Sequence, residues 1–267
     1  MSARVAFVTG AGRGIGRAQA DALADAGLAV AYVDHDAALA NEAAEAAVAR
    51  GVAAIGLAAD VSDYAAVAAA AEAATAALGP VEVLVNNAGI SPKSGADGRR
   101  SEAWEMPPEE WRRVIDVNLT GAFNCVRALS PGMKALGRGR IVNIASVAGR
   151  TYCDIVGVHY AASKAALIGF TKHLAGELGP YGITVNAIAP GRIDTPMMRG
   201  TASTANEAVR LSTPLRRLGQ PEEVAATCVF LTSDASAFVT GQVVDVAGAA
   251  NRELVERRWA PAGRLAV

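Results

Sequence analysis

One pattern constrains this chain more than any other: short apolar runs alternate with helical stretches from near its first residue to near its last. Arg4–Val8, Leu28–Val33, Val52–Ala59, Val81–Val85, Arg140–Ala145, Ile183–Ala189 and Gln242–Val246 read as strands. Their apolar character is nearly continuous rather than alternating, which is the mark of strands buried on both faces. The stretches between them supply the cover. The first helix runs to Ala26 and stops at Gly27; the second spans Ala37 to Arg50 and stops at Gly51; the third, capped by Ser62, ends at Gly79-Pro80. A long helix opens near Glu109, and Pro131-Gly132 is expected to perturb or end its regular part. The fold class is α/β: a single doubly wound, parallel, seven-stranded sheet of Rossmann type with helices on both faces. No repeat or composition break divides it, so residues 1–249 read as one domain and 250–267 as a polar C-terminal tail.

In such a sheet the first strand-to-helix turn is a phosphate site. Glycines let backbone approach the ligand, and the helix N-terminus offers free N–H groups and the positive end of its dipole. The turn here reads Thr9-Gly10-Ala11-Gly12-Arg13-Gly14-Ile15-Gly16. The common G-x-G-x-x-G spacing fails; Thr-Gly-x-x-x-Gly-x-Gly fits, with Gly10, Gly14 and Gly16. Asp34 ends the second strand, where a carboxylate accepts from the ribose hydroxyls and repels a 2′-phosphate. That favours NAD over NADP. Arg13 argues the other way, but an unused Arg turns to solvent, whereas a carboxylate held against a phosphate is costly. Asp60 and Val61 end the third strand and reach the adenine side, although Asp60 reads equally well as a cap for the next helix.

Tyr160 and Lys164 stand four apart on one helix, so a phenol and an ammonium share a face. A neighbouring positive charge favours the phenolate and is expected to lower the tyrosine pKa from near 10. Such a tyrosine exchanges protons in a reaction.

Bulk composition excludes several classes. The chain carries 25 basic and 26 acidic residues in 267, a formal net charge of −1, so no basic surface invites nucleic acid. No apolar stretch approaches the roughly 18 residues of a membrane span. Cys125, Cys153 and Cys228 are odd in number and widely spaced, which speaks against disulfides or a metal site and for a reducing, cytoplasmic setting. No targeting segment is read before the first strand. The implied partner is a small molecule.

Thr9 to Gly16, Asn86-Asn87-Ala88-Gly89, Tyr160 to Lys164 and Pro190-Gly191, in this order and spacing, resemble the short-chain dehydrogenase/reductase family over Val5 to Gly248. The resemblance implies carbonyl–alcohol interconversion with a nicotinamide cofactor. It implies Tyr160 as general acid/base, Lys164 as its activator, Ser146 as the group orienting the substrate oxygen, and Asn118 as a helix residue that helps hold a water in a proton relay. It places Asn87, Ala88 and Gly89 along the cofactor and Pro190, Gly191, Ile193 and Thr195 at the nicotinamide, with Arg192 facing substrate. It also implies a homotetramer.

Two loops depart from the compact family pattern. Ser146 and Tyr160 lie 14 positions apart, one more than in many members, and the segment from Ser91 to Pro108 is several residues longer. The pocket is expected to draw on Ile90, Ser91, Val147, Cys153, Asp154, His159, Arg192 and Met197. His159 reads as structural, because adjacent helix residues diverge by about 100°. An NAD-dependent dehydrogenase of a secondary alcohol, sugar or hydroxy acid fits Asp34 best. An NADPH-dependent 3-oxoacyl-acyl-carrier-protein reductase is the alternative, and a non-catalytic NAD sensor or an epimerase on the same fold are rivals.

Overall fold

Seven parallel strands form one sheet in the order β3-β2-β1-β4-β5-β6-β7. The strands of this computed structural model are β1 (Val5–Thr9), β2 (Ala29–Asp34), β3 (Ala54–Ala58), β4 (Val81–Asn86), β5 (Gly139–Ile144), β6 (Ile183–Pro190) and β7 (Val243–Val246). The structure describes residues 3–95, 99–195, 210–211 and 213–249. Met197, and the tail expected over 250–267, lie outside the described residues.

The helices are α1 (Gly14–Asp25), α2 (Ala37–Ala49), α3 (Tyr64–Leu78), α4 (Pro108–Ile115), α5 (Gly121–Leu136), α6 (Val158–Leu178) and α7 (Pro221–Thr232). Every residue of β1, β2, β4 and β6 is buried, as continuous apolar runs demand. Alternate side chains serve opposite faces. Val5 and Phe7 join Leu84, Met133, Ile141 and Leu174 in one core, while Ala6 and Val8 join Leu23, Tyr32, Val83, Ile188 and Leu231 in the other. Each fully buried Leu, Ile or Phe contributes about 1.5–3 kcal/mol. The edge strand β3 is only partly buried, and Gly56 there lets α2 close down: a Cβ would meet the Ala40 carbonyl oxygen at 2.7 Å.

Two expectations about the helices need correction. The N-cap of α3 is Asp63, not Ser62; its carboxylate accepts from the Ala65 amide, whereas Ser62 donates through N–H and Oγ to Asp60. Pro131 does not end α5, which runs on to Leu136. Pro131 and Gly132 lie on the exposed side, where water meets the carbonyl that proline leaves without a donor. The irregularity falls earlier, as a π-helical segment at Asp116–Thr120 between α4 and α5. Nothing in the sequence marks it, because one extra residue per turn changes no residue type.

The order reverses between β1 and β4, and this opens a crevice at the carboxyl ends of the strands. The turns after β1, β4, β5 and β6 all open there.

Candidate active site

The crevice floor is a joint between the turns after β1 and β4. Thr9 Oγ1 accepts from the amides of Asn87 (3.0 Å) and Ala88 (3.1 Å) and donates to the Val85 carbonyl (3.3 Å). Asn87 Nδ2 donates back to the carbonyls of Thr9 (2.9 Å) and Gly10 (3.2 Å). Gly10 and Gly14 have positive φ, 64° and 60°, which only glycine adopts without strain. A Cβ on Gly16 would collide with the Gly10 carbonyl and Asn87.

The N-terminus of α1 has no acidic first turn and no side-chain cap, and Arg13 at the N-cap is exposed. Its first amides therefore point outward unspent. A pyrophosphate fits that end, and the glycine cradle leaves it room. The Asp34 carboxylate is buried. It accepts from the Gly12 amide (2.9 Å) and the Asp36 amide (3.2 Å), and Nδ1 of the exposed His35 ring lies 2.9 Å from its Oδ1. These donors fix its orientation at the tip of β2. The neighbouring tip of β3 holds Asp60, which is exposed, and Val61, whose carbonyl accepts from Asn124 (2.9 Å). The two Ser62 hydrogen bonds hold the Asp60 carboxyl below its ordinary value. A shallow cleft of about 430 Å³ opens beside it, lined by Asp60, Ser62, Glu109, Arg112, Arg113, Asp116 and Val117.

Ser146 follows β5. Its hydroxyl accepts from the Ala148 amide (3.1 Å), which caps a short 3-10 turn, and it also hydrogen-bonds Tyr160. Tyr160 is partly exposed in the crevice. Burial of its ring raises the phenol pKa above the usual value, the Ser146 hydrogen bond opposes that, and a charge on Cys153 adds to it. The sequence-based expectation of a lowered pKa is therefore corrected for the protein alone. Lys164 Nζ lies 5.7 Å from the centroid of the Tyr160 ring, and it donates to the Ile144 carbonyl at 2.6 Å rather than to the phenol. Lys164 is 4% exposed, and burial lowers its pKa to about 8.

Asn118 sits in the π-helical segment, 1% exposed. Its side chain clamps the chain after β4: Oδ1 accepts from Ile90 N (2.8 Å), and Nδ2 donates to Ile90 O (3.0 Å) and to Ser163 Oγ (3.1 Å). Ser163 in turn donates to the Tyr160 carbonyl (2.8 Å). The Asn118 amide is therefore spent on positioning. Gly89 is close by, where a Cβ would stand 3.2 Å from Asn118 Oδ1 and 3.4 Å from Lys164 Nζ.

Pro190 ends β6, and the Gly191 amide donates to Val246 O at 3.0 Å. Ile193 is buried and bridges to Gly219, and Thr195 follows it partly exposed. The structure thus brings the four Asn118, Ser146, Tyr160 and Lys164 positions together beside Gly89. It sets Gly10, Gly14, Ile15 and Gly16 at the opposite side of the same crevice floor.

A further pair escaped sequence reading. His159 is fully buried. Its Nδ1 accepts from the Tyr160 amide (2.7 Å), so Nε2 carries the proton and donates to Glu110 Oε1 (2.9 Å). Glu110 also accepts from Ser101 (3.3 Å). Its burial works to raise the carboxyl pKa, and the hydrogen bonds from Ser94, His159 and Ser101 outweigh that. The two long loops meet here as well, through Arg100 Nε donating to Asp154 O at 2.9 Å. His159 is thus a structural residue that ties the start of the Tyr160 helix to α4. The sequence signal, a Glu and a His 49 positions apart, says nothing until the helices are packed.

A family model described as Enoyl-(Acyl carrier protein) reductase matches residues 10–250. The chain belongs to the short-chain dehydrogenase/reductase family. It is an oxidoreductase of keto and hydroxy groups that uses a nicotinamide cofactor. An acetoacetyl-CoA reductase of Rhizobium meliloti is 43% identical, the match covering 92% of this chain and 97% of that protein. A 3-oxoacyl-(acyl-carrier protein) reductase of Brucella melitensis, solved with bound NAD, is 52% identical with a TM-score of 0.86, covering 92% of this chain and 90% of that one. A gluconate 5-dehydrogenase of Burkholderia cenocepacia, solved with NADP and tartrate, is 35% identical with a TM-score of 0.87, covering 94% and 96%. Among the described residues of this family member, no helix is long and apolar enough to cross a membrane, and no cluster of metal-ligating side chains occurs.

Proposed function

We propose that the protein interconverts a secondary alcohol and a ketone with NAD, and that Tyr160 is the general acid/base. The observation that carries this reading is the convergence of three groups: the Tyr160 phenol, hydrogen-bonded to Ser146, with the Lys164 ammonium behind its ring. The nicotinamide supplies or accepts the hydride. In oxidation the Tyr160 phenolate takes the alcohol proton. Ser146 donates to the substrate oxygen and holds it against the phenol. Lys164 supplies positive charge beside the phenolate and reaches the cofactor ribose. In reduction the Tyr160 phenol gives its proton to the carbonyl oxygen. Asn118 holds the floor of the site through Ile90 and Ser163.

The cofactor cradle is read as Gly10, Arg13, Gly14, Ile15 and Gly16 at the phosphates, Asp34 at the ribose, and Asp60 and Val61 at the adenine. Asn87, Ala88 and Gly89, then Pro190, Gly191, Ile193 and Thr195, serve the nicotinamide half. Asp34 supports NAD over NADP: its carboxylate is pre-oriented and buried, and a 2′-phosphate beside it meets an unscreened like charge. An Asp34→Ser variant is expected to lower the NAD-over-NADP ratio of kcat/KM by at least roughly tenfold, the equivalent of about 1.4 kcal/mol. Initial rates with both cofactors, over a panel of secondary alcohols, hydroxy acids and their ketones, measure it. An unchanged ratio removes Asp34 from cofactor choice.

A second reading is an NADPH-dependent reductase of 3-oxoacyl thioesters, which the names of the Rhizobium and Brucella relatives favour. Acetoacetyl-CoA in the same panel decides between the two.

The protein is further read as a cytoplasmic homotetramer. Cys125 and Cys228 are buried free thiols, which suits a reducing compartment. Trp111, Phe123, Val158, Phe230 and Phe238 are large apolar side chains left exposed, and Ala165, Ala166 and Gly169 form a small-residue face on α6. A second copy covering these faces removes apolar area from water. Light scattering on the purified protein is expected to give four chain masses; one chain mass refutes the assembly.

A further inference from the structure

α6 begins without an ordinary cap. Its N-cap is Gly157, in extended backbone (φ −74°, ψ 158°), which has no side chain to accept from the first amides, and no acidic residue follows in the first turn. The first N–H groups of a helix have no partner one turn back. Tyr160 is only the third residue of α6. The residue read as the proton carrier therefore sits where a helix frays most readily.

The imidazole of His159 stands in for the missing cap. Its Nδ1 lies 2.7 Å from the Tyr160 amide nitrogen, nearer than the Gly157 carbonyl oxygen at 3.1 Å, which the Ala161 amide shares at 3.2 Å. The ring also dictates the glycine. A Cβ at position 157 would stand 2.5 Å from Cε1 and 2.8 Å from Nδ1, and its three nearest atoms would all belong to the ring. The serine, threonine or aspartate usual at an N-cap is thus excluded by the group that replaces it. The far side of the ring is pinned in turn. Nε2 donates to Glu110 Oε1 at 2.9 Å, in a pair whose side chains are 0% and 9% exposed, and Ser101 Oγ donates to the same oxygen at 3.3 Å.

The Tyr160 backbone is thereby gripped on both sides. Its carbonyl accepts from Ser163 Oγ at 2.8 Å, within the Asn118 clamp, and its amide is held by His159. Lys164, one turn on, is fixed separately through the Ile144 carbonyl. Without the imidazole the start of α6 loosens while Lys164 and Ser146 stay, and the phenol drifts from both. A drift of about 1 Å is enough to cost about a hundredfold in rate.

We propose that His159 and Glu110 are a positioning pair for Tyr160: the Glu110 carboxylate holds the imidazole, and the imidazole caps α6 at the Tyr160 amide. The inference rests on Tyr160 as the general acid/base and adds two residues that act through its backbone.

The test measures kcat and KM for the best substrate of the panel above, NAD binding, and amide hydrogen exchange at the start of α6. It compares the wild type, His159→Ala, and Gly157→Ser/His159→Ala, in which a serine cap takes the place the ring has left. His159→Ala is expected to lower kcat by about 10- to 100-fold, with KM and NAD binding within about threefold of the wild type. Exchange of the Tyr160 amide should quicken by about fivefold or more, the size of a lost cap. The added serine should bring both back to within about threefold of the wild type. A folded His159→Ala protein with kcat within about threefold of the wild type overturns the proposal; so does a double variant whose kcat stays low. Where His159→Ala fails to fold, Glu110→Gln against Glu110→Ala decides. Glutamine keeps an acceptor for Nε2–H and should exceed alanine in kcat by about tenfold; equal rates overturn the proposal. If no alcohol or ketone turns over in the wild type, the dehydrogenase reading fails on its own, and exchange alone judges the cap: faster exchange in His159→Ala supports it, and unchanged exchange overturns it.

Discussion

Tyr160→Phe is expected to lower kcat by roughly 10³–10⁴, the upper range for loss of a positioned general acid/base, while NAD binds within about threefold of the wild type. The substitution removes a single oxygen from a ring that stays packed. Ser146 keeps the Ala148 amide as donor to its hydroxyl, so the turn after β5 is held as before. The pH dependence carries more information than the loss. Oxidation needs the phenolate, and the phenol of the protein alone lies above the usual value because burial outweighs the Ser146 hydrogen bond. The oxidation rate should therefore climb with pH, near tenfold per unit, while Lys164 keeps its charge. Lys164 loses its proton around pH 8. Above that, the phenol loses its positive neighbour and becomes harder to ionise, so the climb should flatten. Two such groups titrate as a pair, and the break belongs to both. Stopped-flow rates of NADH formation from pH 6 to 10 read the profile. A Tyr160→Phe enzyme that keeps a tenth of the wild-type rate, or a profile without slope below pH 8, ends the assignment.

The sheet was legible because burial on both faces leaves a composition that few other arrangements tolerate. Val5 to Thr9 and Ile183 to Pro190 are buried throughout, and their apolar runs say so directly. The pairing of Tyr160 with Lys164 was legible for a different reason: the two lie one helical turn apart, so local geometry alone brings them onto one face. What stayed hidden depends on packing between distant segments. The His159–Glu110 pair joins two helices, and the Asn118 clamp on Ile90 relies on a π-helical turn with no signature in residue type. The direction of the Tyr160 shift was misread because the sequence supplies the charge of Lys164 but neither its distance nor the dryness of its surroundings. Once Lys164 Nζ is tied to the Ile144 carbonyl, its field reaches the ring from behind and burial sets the balance.

That burial makes a second large effect measurable. Lys164→Met should abolish turnover, because the phenolate loses the only cation placed behind its ring among the described residues. It should also change how stability responds to pH. A buried lysine whose folded pKa is about 8, against 10.5 for the free group, is protonated in both states below pH 8. There the folded protein bears the whole burial cost. Between pH 8 and 10.5 the unfolded chain binds more protons than the folded one, so this lysine's contribution to stability rises with pH. Above that window both states are neutral and the cost is gone. Each pKa unit corresponds to about 1.4 kcal/mol, so the wild type should gain about 2–3 kcal/mol on the variant between pH 7 and 10. Taking the difference between the two proteins cancels the titrating groups that Lys164 does not touch, leaving the lysine and the Tyr160 phenol coupled to it. Urea unfolding of both at pH 7, 8, 9 and 10 follows that difference. A constant difference across the range would mean that Lys164 keeps an ordinary pKa in the folded protein, and the break expected near pH 8 in the oxidation profile would have to come from another group. A difference that shifts as expected would tie the catalytic profile and the stability profile to one buried ammonium, held in place by the Ile144 carbonyl at a cost the fold bears so that Tyr160 has a charge beside it.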